Sequence, residues 1–144
     1  MITFKEIVTE DEIDEQVPQQ GQQIDPRIKG AELIARCFSA RNAAHIAHFL
    51  TPSFSQHKAL QEFYEGIIPL ADSFAEGLIG RVGKFEAFPN VKESSTDPLT
   101  IIGNLTKFID ANRQYISEFS EIQNDIDSII SLCNSIGYKL RELR

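Results

Sequence analysis

Tryptophan is absent from this chain and cysteine occurs only twice. Cys37 and Cys133 stand far apart, each inside an apolar pattern and with no CxxC pair. That excludes a disulfide framework and a thiolate zinc ribbon, and makes a reducing cytosol the expected compartment. No apolar run reaches the length of about 18 residues that a membrane-spanning helix needs. The first residues are acidic where a secretory leader would be basic, so neither export nor a membrane span is expected. Positive charge is scarce: 14 Lys and Arg face 21 Asp and Glu, for a formal charge of −7 and a pI near 4.9. Unaided binding to nucleic acid or to an anionic lipid surface normally needs a basic patch, and none is apparent.

What is present is enough for one core. With 144 residues, 42% of them apolar and 24% charged, the chain fits a single globular domain that folds without staples. Residues 1–26 stand apart from it. They combine Glu6, Glu10, Asp11, Glu12, Asp14, Glu15 and Asp25 with "QQGQQ" and Pro18. Such a stretch has too little apolar surface to order itself, so a flexible acidic arm is expected over 1–26, free to hold a protein partner through its apolar start "MITFKEIV".

Residues 27–144 read as helices. From Pro26 to Leu50, Ile34, Phe38, His45 and His48 fall on a narrow arc, with Leu33, Cys37 and Ala44 beside it. "TPS" ends that helix, because Pro52 disfavours a helical residue before it and Ser53 or Thr51 offers the next N-cap. A second helix is expected over 53–79, with Leu60, Phe63, Tyr64, Ile67, Ala71, Phe74 and Leu78 at steps of three and four. Its apolar arc covers roughly 160°, more than the ~100° one packing partner requires, so two partners are expected. Pro69 should kink it. Residues 80–97 read as a long connection able to cross a bundle. A third helix follows, capped by Asp97 with Pro98 first, and a fourth runs from Ser117 or Glu121 to the end. Four helices with one long central connection describe an all-α, ferritin-like four-helix bundle, with the up-down-up-down bundle as the alternative connectivity.

Ligand-type side chains are concentrated in 45–76. His57, Asp72 and Glu76 share the second helix, but 15 residues at 1.5 Å separate His57 from Asp72 by about 22 Å, so one chain cannot gather them on one ion. Two copies of that helix packed antiparallel about a twofold axis would bring His57 of one opposite Asp72 and Glu76 of the other. His48 can approach His57 across the short turn, and His45 lies one turn away from His48. Imidazole plus carboxylate suits iron and also accommodates zinc or manganese.

These residues resemble the signature of the Dps family, the ferritin-like DNA-protection proteins of starved bacteria. The likeness rests on His48-Phe49, on His57, and on Asp72 and Glu76 at 15 and 19 residues beyond it inside "LADSFAEG". The tail "DIDSIISLCNSIGYKLREL" is similar to that family's last helix, and the run "HKALQEFY" is similar to Dps-like proteins of tailed bacteriophages. The resemblance implies metal ligands His48, His57, Asp72 and Glu76. His45, twelve residues before His57, is the alternative to His48, which an aromatic follows. It further implies Fe²⁺ oxidation between subunits and storage of ferric iron in a hollow homo-oligomer built from twofold dimers, up to a dodecamer. The location would be host cytoplasm or virion. The competing reading is a non-catalytic structural or adaptor protein, of a phage particle for instance, whose N-terminal arm binds a partner. Nucleic-acid binding ranks below both.

Overall fold

The computed structural model describes residues 24–143. Four helices run in the order α1 (Pro26–Leu50), α2 (Phe54–Val82), α3 (Pro98–Asn112) and α4 (Ser120–Glu142), with a short 3₁₀ turn, Arg113–Tyr115, between the last two. The arm expected over 1–26 falls, for residues 1–23, outside the described part.

Local chemistry sets each boundary. Asp25 caps α1 by accepting from the Arg27 amide at 2.9 Å, and Pro26 occupies the first helical position, where its missing N–H costs nothing. Thr51 is extended before Pro52, and Ser53 caps α2 by accepting from the Gln56 amide. α2 ends later than the pattern indicated, at Val82. Gly83 closes it with φ 94°, a left-handed conformation that costs a glycine nothing sterically, and its N–H bonds to the Ile79 carbonyl. Asp97 caps α3 through the Thr100 amide at 2.9 Å, with Pro98 first, as the sequence indicates.

Side-chain pairs fix the directions. Gly30 lies against Leu78 and Phe74 while His48 meets His57, so α1 and α2 are antiparallel. Arg81 pairs with Glu121 and Lys139 with Glu62, so α2 and α4 are antiparallel. Arg36 lies 4.4 Å over the Phe108 ring, while Ser39 and Asn104 both tie to Glu93, so α1 and α3 are antiparallel. Arg113 reaches Gln123 and Asp127, which closes α3 onto α4. α1 and α4 therefore run one way and α2 and α3 the other, with residues 83–97 crossing along α1. One long crossing connection is the ferritin-like arrangement and not the up-down-up-down one.

The core is continuous through all four helices. Leu33, Cys37, Ala44, Phe63, Ile67, Phe74, Leu78, Ile101, Ile109, Ile126 and Ile129 are all fully buried. Phe38 departs from the expected arc: it is 42% exposed on the outer side of α1. The wide apolar arc of α2 has its two partners inside one chain, α1 and α4. It is thereby accounted for without a second copy. α2 also passes unbroken through Pro69, which lies on its exposed side.

Candidate functional site

The turn between α1 and α2 brings two histidines together. His48, in the last turn of α1, is only 6% exposed, and His57 is half-buried in the first turn of α2. Their rings stack with centroids 3.5 Å apart and planes 21° from parallel. His48 Nδ1 lies 2.7 Å from the His57 carbonyl oxygen, and His57 Nδ1 lies 3.0 Å from the His48 carbonyl oxygen. A carbonyl oxygen only accepts, so both Nδ1 atoms must carry hydrogen and donate. In the neutral rings, both Nε2 atoms then keep a free lone pair. The His48 carbonyl is one of the last four of α1, which have no partner within the helix, so the His57 ring also serves as its cap.

A second layer surrounds the pair. His45 stacks on Tyr64 with centroids 3.9 Å apart and on Phe49 at 5.1 Å, while its edge meets His48 at 5.9 Å. Tyr64 stands edge-on to His48, and the Arg41 guanidinium lies 5.7 Å from its ring centre. The sequence marks Tyr64 as a core or interface side chain and gives Arg41 no role. The signal was available in part, since Arg41, His45 and Phe49 recur at steps of four along one side of α1.

The carboxylates lie elsewhere. Asp72 and Glu76 are both exposed on α2, about 22 Å and 28 Å along its axis from His57. Among the described residues no group of three or more His, Cys, Asp or Glu side chains gathers on one point. One chain thus supplies two stacked imidazoles and, separately, two carboxylates one turn apart on α2. Glu62 and Glu65 are engaged otherwise, with Lys139 at 2.6 Å and Gln61 at 3.0 Å.

The two thiols take no part. Burial pushes the Cys37 thiol far above its ordinary range, with the nearby Cys133 adding to the shift. Burial likewise pushes Cys133 up to about 11. The thiolate is the reactive form, so a water-soluble disulfide reagent at pH 8 should label neither cysteine in the native protein on the timescale in which a free thiol reacts to completion. Both should react at once in denaturant, and two rapidly labelled thiols in native buffer would show that the core opens readily. No helix among the described residues is long and apolar enough to cross a membrane.

A family model described as "Family of unknown function (DUF5856)" matches residues 48–140, which is 93 of the 144 residues, and the chain belongs to that family. The matched span opens on His48 and takes in His57, Asp72 and Glu76, and it leaves His45 outside. The chain is also similar to the "Uncharacterized 14.6 kDa protein in mobD-ri intergenic region" of Enterobacteria phage T4. The two are 27% identical over 113 residues, covering 78% of this chain and 88% of the relative. No solved structure matches. The likeness to Dps proteins thus rests on motif spacing and helix connectivity, and the family shown is DUF5856.

Proposed function

We propose that this DUF5856 protein is a Dps-like iron-binding protein. In this reading it oxidises Fe²⁺ between the imidazoles of His48 and His57 in one copy and the carboxylates of Asp72 and Glu76 in a second, and stores the ferric product in a hollow homo-oligomer. One observation carries the reading: both Nδ1–H groups are committed to backbone carbonyls, so that in the neutral rings each Nε2 keeps its lone pair for a ligand. Fixing one ring nitrogen so that the other faces the metal is how proteins hold histidine ligands. The donor set fits iron, with zinc or manganese accommodated. Pairing has support from an outer apolar surface on the α1/α2 side. Phe49 is 74% exposed, and the half-buried Tyr64 and Ile68 lie on α2 between His57 and Asp72. The iron is substrate and cargo: two Fe²⁺ ions each give one electron to a peroxide, which takes up two protons and leaves as two waters.

The test is to mix metal-free protein with Fe²⁺, with and without peroxide, and follow ferric absorbance beside an Asp72→Ala/Glu76→Ala variant. Light-scattering mass is measured on both samples. Loss of two ligands should slow the initial rate on the order of tenfold or more, since even outer-shell changes at metal sites cost that much. Equal rates would remove the iron chemistry.

A second reading, a non-catalytic scaffold or adaptor of a phage particle, is favoured by the exposed apolar side chains Phe38, Ile46 and Phe49 on α1. An oligomer that retains no metal and shows no iron oxidation above buffer would support it.

A further inference from the structure

The outer side of α1 carries a groove that the metal site does not use. It has a volume of about 510 Å³ and lies between Phe38, Asn42 and Ile46 of α1 and Phe88, Pro89 and Val91 of the crossing segment. Phe38, Ile46 and Phe88 are 42%, 56% and 54% exposed, an unusual concentration of large apolar side chains on one stripe. A second hollow of about 330 Å³ shares Phe88 and Pro89 and reaches down to Asp25 and Ile28. The two make one path that starts where residues 1–23 join α1.

We propose that the groove is the docking site for residues 2–8 of the same chain, "ITFKEIV", with Phe4 and Ile7 seated against Phe38, Ile46 and Phe88. Length permits it. The sixteen residues from position 9 to position 24 reach about 53 Å when extended, whereas α1 from Pro26 to Ile46 is about 30 Å long. The acidic run Glu10, Asp11, Glu12, Asp14 and Glu15 then lies along the crossing segment, where the cations of Lys84 and Lys92 are offset by the carboxylates of Glu86 and Glu93, so it is the length and the apolar match that carry the proposal. The segment itself supplies the apolar side chains, at Ile2, Phe4, Ile7 and Val8, that such a groove takes. This docking is separate from the metal reading, which uses the side of α1 that faces α2.

The absence of tryptophan gives a direct test in the full chain. In a Phe4→Trp protein the indole is the sole emitter of its kind. Its emission should lie to the blue of a free indole, and its quenching by acrylamide should be about half or less of the free value, because a seated indole loses most of its large contact surface to the groove. Adding Phe38→Asp/Ile46→Asp should shift the emission to the red and restore full quenching. Unchanged far-ultraviolet dichroism and slow thiol labelling would show that this groove variant remains folded. Emission that is red from the outset, or indifferent to the groove substitutions, overturns the proposal. A blue shift lost on hundredfold dilution also overturns it, since the occupant would then be the segment of a second copy.

Discussion

Phe74→Ala should lower the unfolding free energy by about 3–5 kcal/mol, the cost of removing a large aromatic from a core that only partly closes over the space. Phe74 is fully buried, with its ring facing Gly30 of α1. A Cβ on Gly30 would stand 2.4 Å from a Leu78 methyl and 3.7 Å from the Phe74 ring, so the side chains of α2 fill the space over that glycine. Neighbours packed that tightly cannot collapse far into the space. The 120 described residues imply a total stability of about 5–15 kcal/mol, so this one side chain accounts for roughly a fifth of it or more. At about 4 °C per kcal/mol the midpoint should fall by some 12–20 °C. Denaturant titration checks the cause: the midpoint concentration should drop with its slope unchanged. A loss below about 1 kcal/mol would mean that the α1/α2 seam is softer than its geometry indicates.

Pro69→Ala should act in the opposite direction. Proline inside a helix is about 3 kcal/mol less favourable than alanine, because it lacks the N–H for the preceding turn and its ring crowds that turn's carbonyl. Part of the gain is offset by the freedom that alanine returns to the unfolded chain, about 0.4–1 kcal/mol. The ring lies on the exposed side of α2, so removing it opens no cavity. A net stabilisation of about 2 kcal/mol, or about 8 °C in the midpoint, is expected. The same variant bears on function, since Pro69 lies between His57 and Asp72 on α2. If a bend there sets the spacing of imidazole and carboxylate across a pair of copies, iron oxidation should fall while the isolated fold becomes more stable. An unchanged or lower midpoint would show that the packing of α2 already depends on the proline.

The helices were legible because their signals are local. Asp97-Pro98, Ser53 and the break at Pro52 mark ends through backbone chemistry that operates within three residues, and the structure places those ends there. Ile101, Ile102, Leu105, Phe108 and Ile109 recur at helical spacing, and all five are buried on the inward face of α3. The place of Phe38 was not legible, since a periodic pattern cannot tell a side chain turned to the core from one turned to an outer groove that only the crossing segment creates. The arc of α2 was read correctly as needing two partners, but periodicity does not say which partners. α1 and α4 fill both places within one chain. Of the site, the approach of His48 to His57 followed from the shortness of the turn. The exchange of Nδ1 bonds depends on ring rotation, and the stack of His45 on Tyr64 depends on the register between two helices, so neither had a sequence signal of its own. Whether Asp72 and Glu76 meet these rings is a property of two chains and is not encoded in the spacing within one.

Because α1 and α4 point the same way, the described chain enters at one pole of the bundle and leaves at the other. Lys139 and Leu143 share a surface hollow with Phe54 and Lys58, at the pole where His48 and His57 lie. A polyhistidine tag placed after Arg144 would therefore hang foreign imidazoles beside the native pair and confuse any test of the proposed iron binding. Surface-immobilisation chemistry belongs at the opposite pole, where α1 begins and α2 ends.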